Sequence, residues 1–211
     1  MRTRSQLLST LLLGGMAASA GLAYAAEPNP WLVRVRAAYF APADKSDAAS
    51  AYNIGADKIT VGKKTIPDLD ISYFFTPNIA LELLLTYPQS HTVQVNGKDV
   101  GSFKQLPPTL TVQYHFMPNP QFKPYVGAGL NYTNISSVDL KKSGLTNPDL
   151  SKSSIGLALQ AGVDFRVDKN IYINADLKKL WLSVDLKSGS KTVSKLGLDP
   201  MIYSLGVGYR F

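Results

Sequence analysis

Beyond residue 30 the chain alternates with a period of two. Trp31, Val33, Val35, Ala37 and Tyr39 are interleaved with Leu32, Arg34, Arg36, Ala38 and Phe40. A strand sends successive side chains to opposite faces, so each such stretch presents two unlike surfaces. Comparable runs occur at 68–75, 79–87, 109–116, 125–132, 155–167, 171–178 and 204–211. In the last of these Leu205, Val207, Tyr209 and Phe211 share one parity, and Ser204, Gly206, Gly208 and Arg210 the other. Helical periodicity is poor throughout, which predicts an all-β chain of eight strands.

The connections alternate as strictly as the residues. Strands two and three meet at Thr76-Pro77-Asn78, four and five at Met117–Gln121, and six and seven at Val167–Asn170. Pro, Asn and Asp mark these as tight turns. The other connections, near 43–63, 88–103, 136–152 and 187–198, are long. Short periplasmic turns and long extracellular loops on an even number of strands predict an antiparallel up-and-down transmembrane β-barrel. No apolar run after the N-terminal segment reaches the roughly twenty residues of a membrane-spanning helix.

In that architecture the uninterrupted apolar parity faces lipid, and the parity carrying Gly, Ser and charges faces the lumen. Aromatic residues near the strand ends (Trp31, Tyr73, Phe75, Tyr87, Tyr114, Phe116, Phe165, Tyr203, Tyr209 and Phe211) suit interfacial girdles. A secreted lipocalin-like barrel would invert the two faces. Closure pairs every backbone group, as the hydrocarbon core demands.

Composition adds location. Residues 1–25 read as a secretory signal peptide: a basic Met-Arg-Thr-Arg start, a short apolar stretch and Ala23-Tyr24-Ala25 as cleavage site. Residues 26–211 are then one barrel domain in the outer membrane of a Gram-negative bacterium. Loss of Arg2 and Arg4 lowers the formal charge from +7 to +5. The absence of cysteine excludes a disulfide-stapled scaffold.

Several motifs are more specific than the alternation. "LPPTLTVQYHF" (106–116), "FKPYVGAGLNYTNI" (122–135), "LDP" (198–200), "GVGYRF" (206–211) and "NIALELLLTYP" (78–88) resemble the OmpW family of small outer-membrane proteins. The resemblance covers essentially the whole chain after the leader. It implies an eight-stranded barrel with a hydrophobic interior channel that passes small apolar molecules, released sideways between strands.

Reading the inward parity by depth gives candidate residues for that function. Arg34, Glu82, Gln113, His115, Asp164, Arg166 and Arg210 fall mostly in the periplasmic half. Opposite charges there must pair, because an isolated buried charge is very costly, and the result is an interior polar plug. Phe40, Phe74, Leu84, Leu106, Leu180 and Leu182 are the candidate lining of an apolar channel above it; the alternative is plain packing of the barrel top. Pro107 and Pro108 have no N–H to give a ladder, so they mark either a lateral opening or a simple kink.

Other chemistry is thin. Ser90 and His91 are sequence neighbours and so point apart on a strand, and His115 lies at the periplasmic end, which argues against an enzyme. No metal-ligand spacing, cofactor motif or nucleic-acid signature appears. The lysines of the long loops, among them Lys45, Lys64, Lys104 and Lys195, are placed to meet outer-leaflet lipids and lipopolysaccharide. Remaining expected partners are small hydrophobic solutes and, through the C-terminal strand, the outer-membrane assembly machinery. The alternative function is a sealed structural or receptor barrel acting through its loops. Near Lys179–Trp181 the alternation is lost, which suggests a bulge and leaves the direction of Trp181 open.

Overall fold

The structure is a computed structural model that describes residues 29–116 and 121–211. The leader at 1–25 and all but Gln121 of the Met117–Gln121 turn lie outside the described residues. The chain forms β1 (Trp31–Ala41), β2 (Lys45–Ser46), β3 (Ile59–Val61), β4 (Lys64–Phe74) and β5 (Ile79–Leu85). There follow β6 (Gln89–Val95), β7 (Lys98–Leu106), β8 (Thr109–His115), β9 (Phe122–Asp139) and β10 (Pro148–Leu150). The remainder is β11 (Ser153–Arg166), β12 (Ile171–Trp181), β13 (Ser183–Ser188), β14 (Lys191–Gly197) and β15 (Met201–Arg210).

Eight of these close on themselves. β1 pairs with β4, then β5, β8, β9, β11, β12 and β15 follow in order, and β15 returns to β1. Every pairing is antiparallel and joins strands consecutive around the wall, so the barrel is up-and-down.

The two faces differ as the alternation requires. On β1 Val35 is 60% exposed while its neighbour Arg34 is fully buried. The exposed apolar band is bounded by rings. Trp31, Tyr73 and Phe75 meet edge-on at 4.8 and 5.0 Å, as do Tyr209 and Phe211 at 5.0 Å, at the end with the short turns. Tyr39 and Tyr203 lie 6.4 Å apart at the other end. Trp31 to Tyr39 is about 27 Å along the strand, or about 21 Å along the axis at a 40° tilt, close to the apolar height of such barrels.

The long connections are built rather than loose. β6 and β7 form a hairpin closed by Asn96-Gly97, both at positive φ (51° and 75°). Those are the angles of a type I′ turn, which matches strand twist. β3 adds to β6, and β7 runs up the distal half of β9 from Leu106↔Asn134 to Ser102↔Asp139. On the other side β10, β13, β14 and β2 make a second, four-stranded sheet. Ser90, Thr92 and Lys104 point outward there, so this storey stands in water above the membrane.

The expected bulge at Lys179–Trp181 is absent. The β11–β12 register runs without a shift from Arg166↔Tyr172 to Leu157↔Trp181. Lys178 points inward to an ion pair and Lys179 outward over the Trp181 ring (6.0 Å), so two lysines in a row hid an intact alternation. Trp181 therefore faces lipid, while Leu180 and Leu182 are buried.

Candidate functional site

At mid-height a layer of polar side chains crosses the lumen. Arg34 of β1 reaches the opposite wall, where Nε donates to Asp164 Oδ1 at 2.9 Å and Nη2 to Oδ2 at 2.5 Å. Its Nη1 donates to Asp70 Oδ1 (2.9 Å) and Ser72 Oγ (2.8 Å) on the adjoining strand. One turn of the alternation higher, Arg36 Nε donates to Asp68 Oδ1 (2.9 Å) and Nη1 lies 2.8 Å from Asp70 Oδ2. Gly206, facing Arg36, has no side chain to offer: a Cβ there would meet the Val35 carbonyl oxygen at 2.1 Å.

Glu82 is the second hub. It accepts from Lys178 Nζ (2.6 Å), Gln113 Nε2 (2.7 Å), Gln160 Nε2 (3.0 and 3.1 Å) and Thr111 Oγ1 (3.1 Å). Gln160 also donates to Asp176 Oδ2 (2.6 Å), as does the Tyr125 hydroxyl (2.8 Å). Asn174 donates to Tyr125 and to Asp164, which joins the two hubs. Among the described residues the layer sets Arg34, Arg36 and Lys178 against Asp68, Asp70, Glu82, Asp164 and Asp176. Carboxylates outnumber cations, so neutral donors such as Ser72, Thr111, Gln113, Gln160 and Tyr125 are needed to satisfy them.

The sequence-selected polar residues thus divide. Arg34, Glu82, Gln113 and Asp164 lie in this layer. His115 lies just beneath it, between the rings of Phe74 (4.8 Å) and Tyr125 (4.9 Å). Gln113 spends its amide N–H on Glu82, so its Oε1 accepts from His115 Nε2 at 3.2 Å and fixes that tautomer. Arg210 lies at the periplasmic rim over the Phe74 ring (4.3 Å), with Nε donating to the Asn29 carbonyl. Arg166 is half-buried at the same rim and joins no ion pair among the described residues. Arg36, Asp68, Asp70, Asp176, Lys178, Gln160 and Tyr125 share the inward parity but were not selected; parity alone would have found them.

Two channel candidates are corrected. Phe74 does not line the upper lumen: it is buried with Leu32, Ala80 and Tyr172 at the periplasmic end, because it is the last residue of β4 before the short turn. Leu106 is not inward: Phe103, Gln105 and Thr109 are buried, so Leu106 shares the outward parity of Lys104 and Leu110. Leu84 is buried just above Glu82. Phe40, Leu180 and Leu182 belong to one continuous apolar cluster with Ile66, Val93 and Phe103 that fills the interior above the polar layer.

The wall beside that cluster is interrupted. β5 pairs with β8 as far as Leu84↔Thr109, and β6 with β7 from Gln89↔Gln105, which leaves 85–88 and 106–108 outside any ladder between them. Pro107 and Pro108 are held on their other side. Tyr132 N–H donates to the Pro108 carbonyl (3.0 Å), and Asn131 Nδ2 to both proline carbonyls (3.2 Å each). The break continues around the Tyr87-Pro88 segment to β4, whose pairing with β5 ends at Leu69↔Leu85. Above it, among the described residues, only side chains bridge the seam, Thr86 Oγ1 to the Pro67 carbonyl (3.0 Å) and Lys64 Nζ to the Ser90 carbonyl (3.3 Å), until Gly62 N–H meets the Thr92 carbonyl.

Comparison with known proteins agrees with this architecture. The chain is 39% identical over 193 residues to the uncharacterized outer-membrane protein y4mB of Sinorhizobium fredii, covering 89% of this chain and 82% of the relative. It is 32% identical over 209 residues to outer membrane protein W of Vibrio cholerae, covering 92% and 94%. The crystal structure of OprG from Pseudomonas aeruginosa superposes with a TM-score of 0.75 at 29% identity, covering 88% of this chain and 97% of that one. The protein is thus a barrel of the Gram-negative outer membrane, with lipid against its apolar face. The OmpW family model matches residues 29–211, and the chain belongs to the OmpW family.

Proposed function

We propose that this barrel takes up small apolar molecules from outside and releases them sideways into the membrane. The observation that carries the reading is a pairing of opposites in one lumen. Above the polar layer the interior is apolar, from Phe40 and Leu180 to Leu182 and Phe103. At the layer, Arg34 and Glu82 are fully buried and bonded wall to wall. A greasy solute that enters from above gains from burial, but passage through the charged layer would break its bonds. The way that remains is lateral, and the break in the wall lies beside the apolar cluster, at Thr86–Pro88 between Pro107-Pro108 and β4. A relative 23% identical over 198 residues, from Pseudomonas aeruginosa, is named dibenzothiophene metabolism operon protein PahQ; dibenzothiophene is an apolar aromatic molecule.

Two partners fit the same reading. A groove of about 520 Å³ at the outer rim sets Lys45 and Lys195 above Trp181 and Ile155, suited to a lipid with an anionic headgroup such as lipopolysaccharide. β15 closes the barrel and carries outward Tyr209, a form suited to recognition by the assembly machinery.

The test is uptake of octane by matched cells with and without the protein, alongside a polar sugar and ion conductance. Faster uptake of octane alone is the expected result. Because the chain has no native cysteine, cysteines at Lys64 and Ser90 joined by a short reducible cross-linker would pin the seam. Uptake should fall on cross-linking and return on reduction. No difference between cells with and without the protein would leave a closed barrel that acts through its loops.

A further inference from the structure

Within the apolar cluster one inward patch is polar. On the β6–β7 hairpin Gln89 pairs with Gln105, and His91 with Phe103. All four side chains are buried, with exposures of 1–2%. Gln89 Oε1, His91 Nε2 and Gln105 Oε1 have no hydrogen-bond partner among the described residues. The orientation of two of these groups is fixed locally. Gln89 Nε2 donates to the Tyr87 carbonyl (3.2 Å), which leaves Oε1 as the orphan. His91 Nδ1 faces the Gly62 carbonyl at 3.5 Å; a carbonyl only accepts, so the proton sits on Nδ1 and Nε2 is a bare acceptor. Burial holds the imidazole below its ordinary pKa; the Gly62 carbonyl opposes this and the Lys64 charge adds to it, so the ring is neutral at pH 7.

Three orphan acceptors on one hairpin face are expensive. Each acceptor buried without a donor loses its hydration with nothing in return, and a hairpin needing only to pack would carry aliphatic residues there. The patch also sits on the route proposed above. The His91 ring lies 4.9 Å from Phe40 of β1 and stacks on Phe103 at 5.8 Å. Ser90, the next residue, takes the Lys64 bond across the seam. A solute moving from the top of the column to the seam must part these rings.

We propose that Gln89, His91 and Gln105 form a hydrogen-bond acceptor site for apolar solutes that carry a hydroxyl or N–H donor, such as medium-chain alcohols. The site's place on the route rests on the channel reading; its binding chemistry does not. A hydrocarbon offers no donor and leaves the acceptors orphaned, whereas an alcohol of the same length satisfies one of them. One net hydrogen bond corresponds to a preference of about fivefold to tenfold.

The experiment has two arms. In lipid nanodiscs holding the full mature chain, the His91 imidazole ¹⁵N resonances are followed while 1-octanol or octane is added. 1-Octanol should move the Nε2 resonance and octane should not. The Gln89→Leu/Gln105→Leu variant should weaken octanol binding about fivefold or more. His91→Phe, which keeps the ring stack, should bring the octanol-to-octane uptake ratio in cells close to one. An unmoved Nε2 resonance, an equal response to octane, or an unchanged preference in both variants overturns the proposal. If octanol moves Nε2 while uptake of both solutes is the same with and without the protein, the channel reading fails and the site stands.

Discussion

Glu82→Gln is the most informative single change in the polar layer. The carboxylate accepts from Lys178 at 2.6 Å and from Gln113, Gln160 and Thr111 at 2.7–3.1 Å, all fully or almost fully buried. The amide keeps the volume but removes the charge, and it turns an NH₂ toward groups that are themselves donors. Lys178, 1% exposed, loses its direct ion-pair partner at 2.6 Å and stays a buried ammonium. Breaking such a pair from one side costs about 3–5 kcal/mol, a loss of about two to almost four powers of ten in the folding constant. Adding Lys178→Met removes the stranded charge, and the double variant should recover at least half of the loss. Urea unfolding in lipid vesicles, followed by the gel mobility of folded and unfolded barrel, measures both. A cost below about 1 kcal/mol for Glu82→Gln would refute the reasoning. So would a double variant as unstable as the sum of its parts, because the pair would then carry no coupling.

Other positions give separable outcomes. Arg34→Ala removes the guanidinium that links Asp70, Ser72 and Asp164, and ion conductance in planar bilayers should rise above that of the parent barrel. Val35→Arg puts a charge on the lipid face midway between the aromatic rings, and vesicle unfolding should show a loss of about 2–4 kcal/mol. A Cβ at Gly162 would meet the Tyr125 ring at 2.4 Å. Gly162→Val should therefore displace the Tyr125–Asp176 bond and cost about 1–3 kcal/mol in the same assay. Asn131→Leu removes the donor to the Pro107 and Pro108 carbonyls, and faster amide exchange at Tyr132 should report the loosened segment.

Much of the barrel is legible because strand parity is local. Trp31–Tyr39 and Leu205–Phe211 declare their lipid faces within a few residues, and Pro, Asn and Asp mark the short turns. Lys178 and Lys179 misled because adjacent like charges look like a slip in alternation, when one of them is paired inside and the other lies over Trp181. Phe74 and Leu106 misled for a related reason. Phe74 ends β4 and Leu106 ends β7, where height and direction are set by the next turn and not by the strand itself. The "VNGK" hairpin signal at 95–98 was present, and a reading of 88–103 as connection passed over it.

The sequence by itself determined which faces meet lipid, how many strands cross, and that the charges sit on the inward parity, since all three follow from period-two patterning and from the cost of unpaired backbone and unpaired charge in hydrocarbon. Only the tertiary structure decided who meets whom across the lumen. Arg34 and Asp164 are 130 residues apart, and Glu82 and Lys178 are 96 apart. Their contact depends on strand stagger and closure, which no local pattern encodes. The same holds for the seam: prolines 67, 88, 107 and 108 each announce a missing donor, but register alone places the open stretch between β4 and the Tyr87-Pro88 segment, beside three acceptors without partners among the described residues.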